Sequence, residues 1–89
     1  MSRFRRRPDI NETPVENEIF LIADNSGDIY HLDQLAMSIW RALDRPSDED
    51  ELVELFAQAF PDTPAETLRR DLRTALATLK DGGLIEVCD

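Results

Sequence analysis

The hydrophobic pattern of this chain changes period at Asp33, and that change restricts the fold more than any other feature. Before it, Glu18-Ile19-Phe20-Leu21-Ile22-Ala23 is a short apolar run, Asp24-Asn25-Ser26-Gly27-Asp28 follows as turn chemistry, and Ile29-Tyr30-His31-Leu32 returns as a second run. Runs of this length between Asn, Gly and Asp clusters read as strands joined by a tight turn. Asn and Gly suit the turn because they tolerate positive φ. A weaker strand is expected near Asp9–Thr13, before Pro14 interrupts it.

After Asp33 the spacing is helical. Asp33 is a suitable N-cap, and Leu35, Ala36, Ile39, Trp40 and Leu43 fall on one stripe. Asp44-Arg45-Pro46-Ser47 breaks that helix, and Ser47 is placed to cap the next. The second helix opens with Asp48-Glu49-Asp50-Glu51, carboxylates that the helix macrodipole favours there, and carries Leu52, Leu55, Phe56, Ala59 and Phe60 on its apolar face. Thr63-Pro64-Ala65-Glu66 predicts a capping box with proline at the first helical position. Leu68, Leu72, Ala75, Leu76 and Leu79 form the third stripe, and Asp81-Gly82-Gly83 ends it. Leu84-Ile85-Glu86-Val87 reads as a last short strand or a packed tail. The predicted class is α+β: two or three N-terminal antiparallel strands, then a three-helix bundle, in a winged-helix-like arrangement.

Eighty-nine residues make one small domain. Arg3, Arg5, Arg6 and Arg7 lie in the first eight residues, which read as a flexible basic arm; residues 9–89 read as the single domain. The formal charge is −9 overall, and residues 8–89 carry 6 basic against 19 acidic side chains, a formal −13. Such a body repels phosphate backbones, whereas duplex binding requires several Lys and Arg that neutralise phosphates. No apolar run approaches the roughly 18–20 residues that span a bilayer, and no apolar segment of a signal peptide follows the arginines. The lone Cys88 cannot form an internal disulfide. A cytoplasmic protein without nucleic-acid or membrane partners is expected.

Chemistry-bearing clusters are sparse. His31 and Cys88 assemble no nucleophile–base pair, and neither clustered His/Cys nor a patterned carboxylate loop points to a metal. Gly27, Gly82 and Gly83 form no phosphate cradle. No catalytic residue, metal or cofactor is expected. The third helix mixes Arg69, Arg70, Arg73 and Lys80 with Glu66, Asp71 and Asp81, a weak case for a recognition helix. An edge strand, by contrast, offers unpaired N–H and C=O groups to another extended chain. Asp28, Ile29, Tyr30, His31 and Leu32 could form such an edge. Beside it, a groove is expected to be floored by Leu72 and Leu76 and flanked by Arg69 and Arg73, unless those leucines are simply core. An open edge also allows strand exchange in a homodimer.

Several segments then add a resemblance. Gly27-Asp28-Ile29-Tyr30-His31-Leu32-Asp33, Ile39-Trp40-Arg41-Ala42-Leu43-Asp44, Glu51-Leu52, Phe60-Pro61, Asp71-Leu72 and Leu79-Lys80-Asp81-Gly82-Gly83-Leu84-Ile85 together resemble the PqqD-like family, whose namesake is protein D of pyrroloquinoline quinone biosynthesis. The resemblance implies a winged-helix-like domain that recognises precursor peptides. It implies a non-catalytic chaperone that binds the leader of a ribosomally made, post-translationally modified peptide as an added strand. The leader is then presented to a modifying enzyme, often a radical SAM protein. Carried onto this chain, the contacts are Asp28–Leu32 with Arg69, Leu72, Arg73 and Leu76. Leu21-Ile22-Ala23-Asp24-Asn25 stands where the quinone-pathway members tend to carry a Leu-Ala-Pro-Glu-like segment, which leaves that pathway and a related peptide pathway both open. The alternative of a different class is a winged-helix DNA-binding transcription factor.

Overall fold

A computed structural model describes residues 2–24 and 26–88. Asn25, half of the expected Asn/Gly turn chemistry, lies outside the described residues. β1 (Arg3–Arg6) is followed by β2 (Ile10–Val15), β3 (Glu18–Ala23) and β4 (Ile29–His31). Then come α1 (Gln34–Ala42), β5 (Ser47–Asp48), α2 (Glu49–Ala59), α3 (Ala65–Asp81) and β6 (Ile85–Cys88). The expected α+β plan of antiparallel strands leading into three helices is what the chain adopts.

The strands form two three-stranded sheets, ordered β2-β3-β4 and β5-β1-β6. In the first, the apolar run of β3 is central. Its odd positions, Ile19, Leu21 and Ala23, are buried at 2%, 0% and 8% exposure, as the alternation of a strand requires. The β3–β4 turn carries Gly27 at φ 72°, with its N–H donating to the Ala23 carbonyl at 2.7 Å.

The second sheet corrects the expected free arm. Arg3–Arg6 pair antiparallel with β6, Arg3 opposite Cys88 and Arg6 opposite Ile85. Arg6 spans the molecule: its Nε and Nη2 donate to the Trp40 carbonyl at 2.8 and 2.6 Å, and its guanidinium lies 4.7 Å from the indole centre. Arg5 pairs with Glu86 across the sheet. The arginines that suggested a solvated tail therefore hold a strand in place.

Caps set the helix starts. The Asp33 carboxylate accepts from the Ala36 N–H at 2.7 Å, as expected. The second cap falls on Asp48 rather than Ser47, in a capping box closed by Glu51. The capping box expected for the third helix does not form: α3 begins after Pro64 with no side-chain cap. One core unites the elements, with Ile39, Trp40, Leu43, Leu52, Phe56, Leu72 and Leu76 all below 5% exposure. Gly83, at φ 74°, turns the chain from α3 into β6.

Candidate peptide-binding groove

The free edge of the first sheet is fixed by register. The Leu32 N–H donates to the Ile19 carbonyl at 3.1 Å and the Ala23 N–H to the Asp28 carbonyl at 3.0 Å. Bonded and non-bonded pairs alternate along an antiparallel ladder, and Phe20 faces His31, Leu21 faces Tyr30 and Ile22 faces Ile29. Tyr30 therefore directs its backbone groups toward β3, and Ile29 and His31 direct theirs outward. Among the described residues no strand pairs with that outer edge.

Beside it lies an open cavity of about 410 Å³. Tyr30 and Leu32 bound it on the strand side, Leu35 and Ala36 at the start of α1, and Thr74, Ala75, Thr78 and Leu79 along α3. Tyr30, Leu35, Ala36 and Ala75 pack against the core yet stay half-buried. The core is thus left uncovered along one side, where apolar surface and unpaired backbone run in parallel. Thr74 and Thr78 hydroxyls donate to the carbonyls one turn back, at 3.1 and 3.0 Å. Both donors are satisfied within the helix, and short side chains there leave room for a neighbouring strand. Arg70 and Asp71, an ion pair at 3.7 Å, also line the cavity.

The expected site residues divide into three groups. Tyr30, His31 and Leu32 line the cavity, and Ile29 shares the exposed strand at 66% exposure. Asp28 ends the preceding turn, its N–H donating to Ser26 Oγ at 3.3 Å. Leu72 and Leu76 are core, at 0% and 3% exposure, and do not line the cavity. Arg69 and Arg73 lie on another side of α3, against the start of α2. Arg69 Nη1 and Arg73 Nε each donate to Glu49 at 2.6 Å, and Arg69 Nη2 reaches Asp50 at 2.8 Å. Bonding from Arg73, opposed by desolvation and aided by Arg69, holds the Glu49 carboxyl below its ordinary value. Both guanidiniums are raised in turn, Arg69 chiefly by Asp50 and Arg73 chiefly by Glu49.

Sequence reasoning therefore missed the α3 face made by Arg70, Asp71, Thr74, Ala75 and Thr78. The available signal was spacing: Thr74 and Thr78, and Asp71 and Ala75, are four apart, each pair a narrow row beside the leucine stripe. Small and polar residues give no apolar signal, so the row went unread. Among the described residues, no group of three or more His, Cys, Asp or Glu side chains could hold a metal ion. No described helix is long and apolar enough to cross a membrane.

Two solved structures share this architecture. TbiB1 in complex with the TbiA(beta) leader peptide superposes with a TM-score of 0.82 at 23% identity, covering 92% of this chain and 94% of that one. Lasso peptide synthetase B1 complexed with the leader peptide gives 0.76 at 23% identity, covering 93% and 96%. No curated protein matches the sequence. The family model of coenzyme PQQ synthesis protein D (PqqD) matches residues 18–85, from the start of β3 to the start of β6. Most of the chain, including every element that bounds the groove, thus falls within one family, and the protein belongs to the family of coenzyme PQQ synthesis protein D (PqqD).

Proposed function

We propose that this protein binds the leader of a ribosomally made precursor peptide as an added strand and presents it to a modifying enzyme. The carrying observation is the outward-facing backbone of Ile29 and His31 alongside an apolar cavity. A chain laid on β4 would gain main-chain bonds from that edge, and every second side chain would enter the cavity. The groove residues are Ile29, Tyr30, His31 and Leu32 with Leu35, Ala36, Ala75 and Leu79; Asp28 sets the entry to the strand. The two structural neighbours carry leader peptides, which supports the same ligand class here. Family membership supports the same role, with a radical SAM protein as one kind of enzyme served.

Charge supports a peptide over a duplex. Arg69 and Arg73, half of the basic residues on α3, are engaged by Glu49 and Asp50. The test is an NMR titration with the leader of a candidate precursor peptide. The Ile29–Leu32, Leu35, Ala75 and Thr78 resonances should move together. Shifts confined to β1 and β6 would overturn the proposal.

A further inference from the structure

The third helix ends in two glycines that are there for different reasons. Gly83, at φ 74°, makes the turn, and a Cβ on it would meet nothing within 4 Å. Gly82 has no such backbone need: as the C-cap of α3 it sits at φ −75° and ψ −5°, in the right-handed region open to any L-residue. What crowds a side chain at 82 is a neighbour. A Cβ there would lie 3.3 Å from Tyr30 Cε1, inside the roughly 3.5–4.0 Å at which carbon atoms pack best. Behind it the Thr78 and Leu79 carbonyl oxygens stand 3.4 and 3.7 Å away, which leaves no room to retreat.

Tyr30 lines the groove and Gly82 does not. The ring therefore stands between the end of α3 and the open cavity. A strand added antiparallel along β4 makes its bonded pairs with Ile29 and His31, whose backbone groups face outward. The leader residue opposite Tyr30 then belongs to a non-bonded pair, the kind with Cα atoms about 4.5 Å apart and side chains closest. Residues opposite one another on neighbouring strands share a face. That leader side chain enters the cavity directly against the Tyr30 ring, where Thr78, Leu79 and Leu84 line the same space.

We infer that Tyr30 is the specificity-determining residue of the groove and Gly82 its positioning residue: with no side chain at 82 the ring lies back on the last turn of α3, and the space this opens selects a large aliphatic or aromatic leader side chain opposite Tyr30. The inference rests on strand addition at β4. The last turn is held by the Gly82 N–H donating to the Thr78 carbonyl and the Leu84 N–H to the Leu79 carbonyl, both at 3.0 Å. A Cβ at 82 therefore moves the half-buried ring rather than the helix, and the ring yields toward the cavity. Close-packed contacts register a change of one methylene, and crowding them is costly. A narrowed groove rejects the large side chain and still admits a small one.

The test uses the full-length protein, the leader of a candidate precursor peptide, and the same leader with its residue opposite Tyr30, identified by nuclear Overhauser contacts to the ring, replaced by alanine. Affinities are read by fluorescence anisotropy. Gly82→Ala should weaken the unaltered leader roughly fivefold or more and the alanine-substituted leader less than about twofold. Its urea midpoint should not fall, because alanine suits this backbone conformation. In a Tyr30→Leu background, which lacks Cε1, Gly82→Ala should shift neither affinity by more than about twofold, as a double-mutant cycle requires of a residue that acts through another. Tyr30→Leu alone should change the preference between the two leaders roughly threefold or more, a readout independent of any variant at 82. An unaltered preference in Gly82→Ala, or the same loss with Tyr30→Leu present, overturns the inference and leaves the groove standing. Failure of the native protein to bind either leader overturns the groove reading instead.

Discussion

Proline at position 29 separates the edge from the fold. Ile29 directs its N–H away from β3, because the bonded pairs of the ladder are those of Leu32 with Ile19 and Asp28 with Ala23, together with Tyr30 between them. Ile29→Pro therefore removes no ladder bond, and proline is tolerated on an edge strand where its nitrogen faces solvent. An incoming strand, however, loses one donor, worth about 0.5–1.5 kcal/mol net. Its own carbonyl is then held against the ring without a partner, at a similar further cost. Together these come to about 2 kcal/mol, or roughly thirtyfold in Kd. Leader affinity by titration calorimetry and stability by urea unfolding provide the two readouts. Affinity should fall by that factor while the urea midpoint scarcely moves. Tyr30→Pro is the contrast: it loses a ladder bond and a groove wall, so stability should fall as well. Ile29→Pro that stays folded and binds leader within threefold of the native protein refutes strand addition at β4.

Four further outcomes follow from the geometry. Ala75→Glu places a carboxylate among the apolar residues of the groove; leader affinity should fall at least tenfold in the same calorimetric assay, with thermal stability little changed because Ala75 is only half-buried. Arg73→Ala should leave leader affinity within twofold and lower the urea midpoint, since Arg73 serves Glu49 and not the groove. The Glu49 carboxyl lies below its ordinary 4.5 in the folded state, so its contribution is present above that value and is lost as pH falls through the lower folded one; the stability difference between native protein and Glu49→Gln should shrink over that acid window. Leu72→Ala, at a position with 0% exposure, should cost about 3 kcal/mol and lower the melting temperature by roughly 15 °C.

The segments most legible in the sequence are those whose signals are local. β3 is an apolar run closed by a glycine turn, and Asp33 announces α1 through a side chain that bonds three residues ahead. β1 was illegible for the opposite reason: its partners in β6 lie 79 to 85 positions away, and Arg-Phe-Arg-Arg has the composition of a tail. Pairing with both β5 and β6 and the Arg6–Trp40 contact override that composition. The groove was half legible. Its strand could be read from alternation, whereas a helix stripe reports only what is buried. Leu72 and Leu76 were conspicuous because they are core, and Arg69 and Arg73 because they are charged. The face that borders the cavity consists of small and polar side chains whose meaning comes only from the strand beside them. At Thr63 a good capping sequence was left unused, because the N-cap position falls one residue on, at Pro64, while the Thr63 N–H turns back to the Phe60 carbonyl at 3.1 Å.

The pairing of β1 with β6 sets Arg3 directly across from Cys88. Antiparallel partners of this kind stand only about 5 Å apart between Cα atoms, so the two ends of the described chain leave the domain side by side. Neither β1 nor Ile85–Cys88 lines the groove. A domain with adjoining ends can be spliced into a host loop at little geometric cost, or joined end to end and reopened elsewhere. This architecture therefore suits a portable cassette: peptide capture could be transplanted into an unrelated enzyme through two neighbouring junctions, without rebuilding the surface that does the capturing.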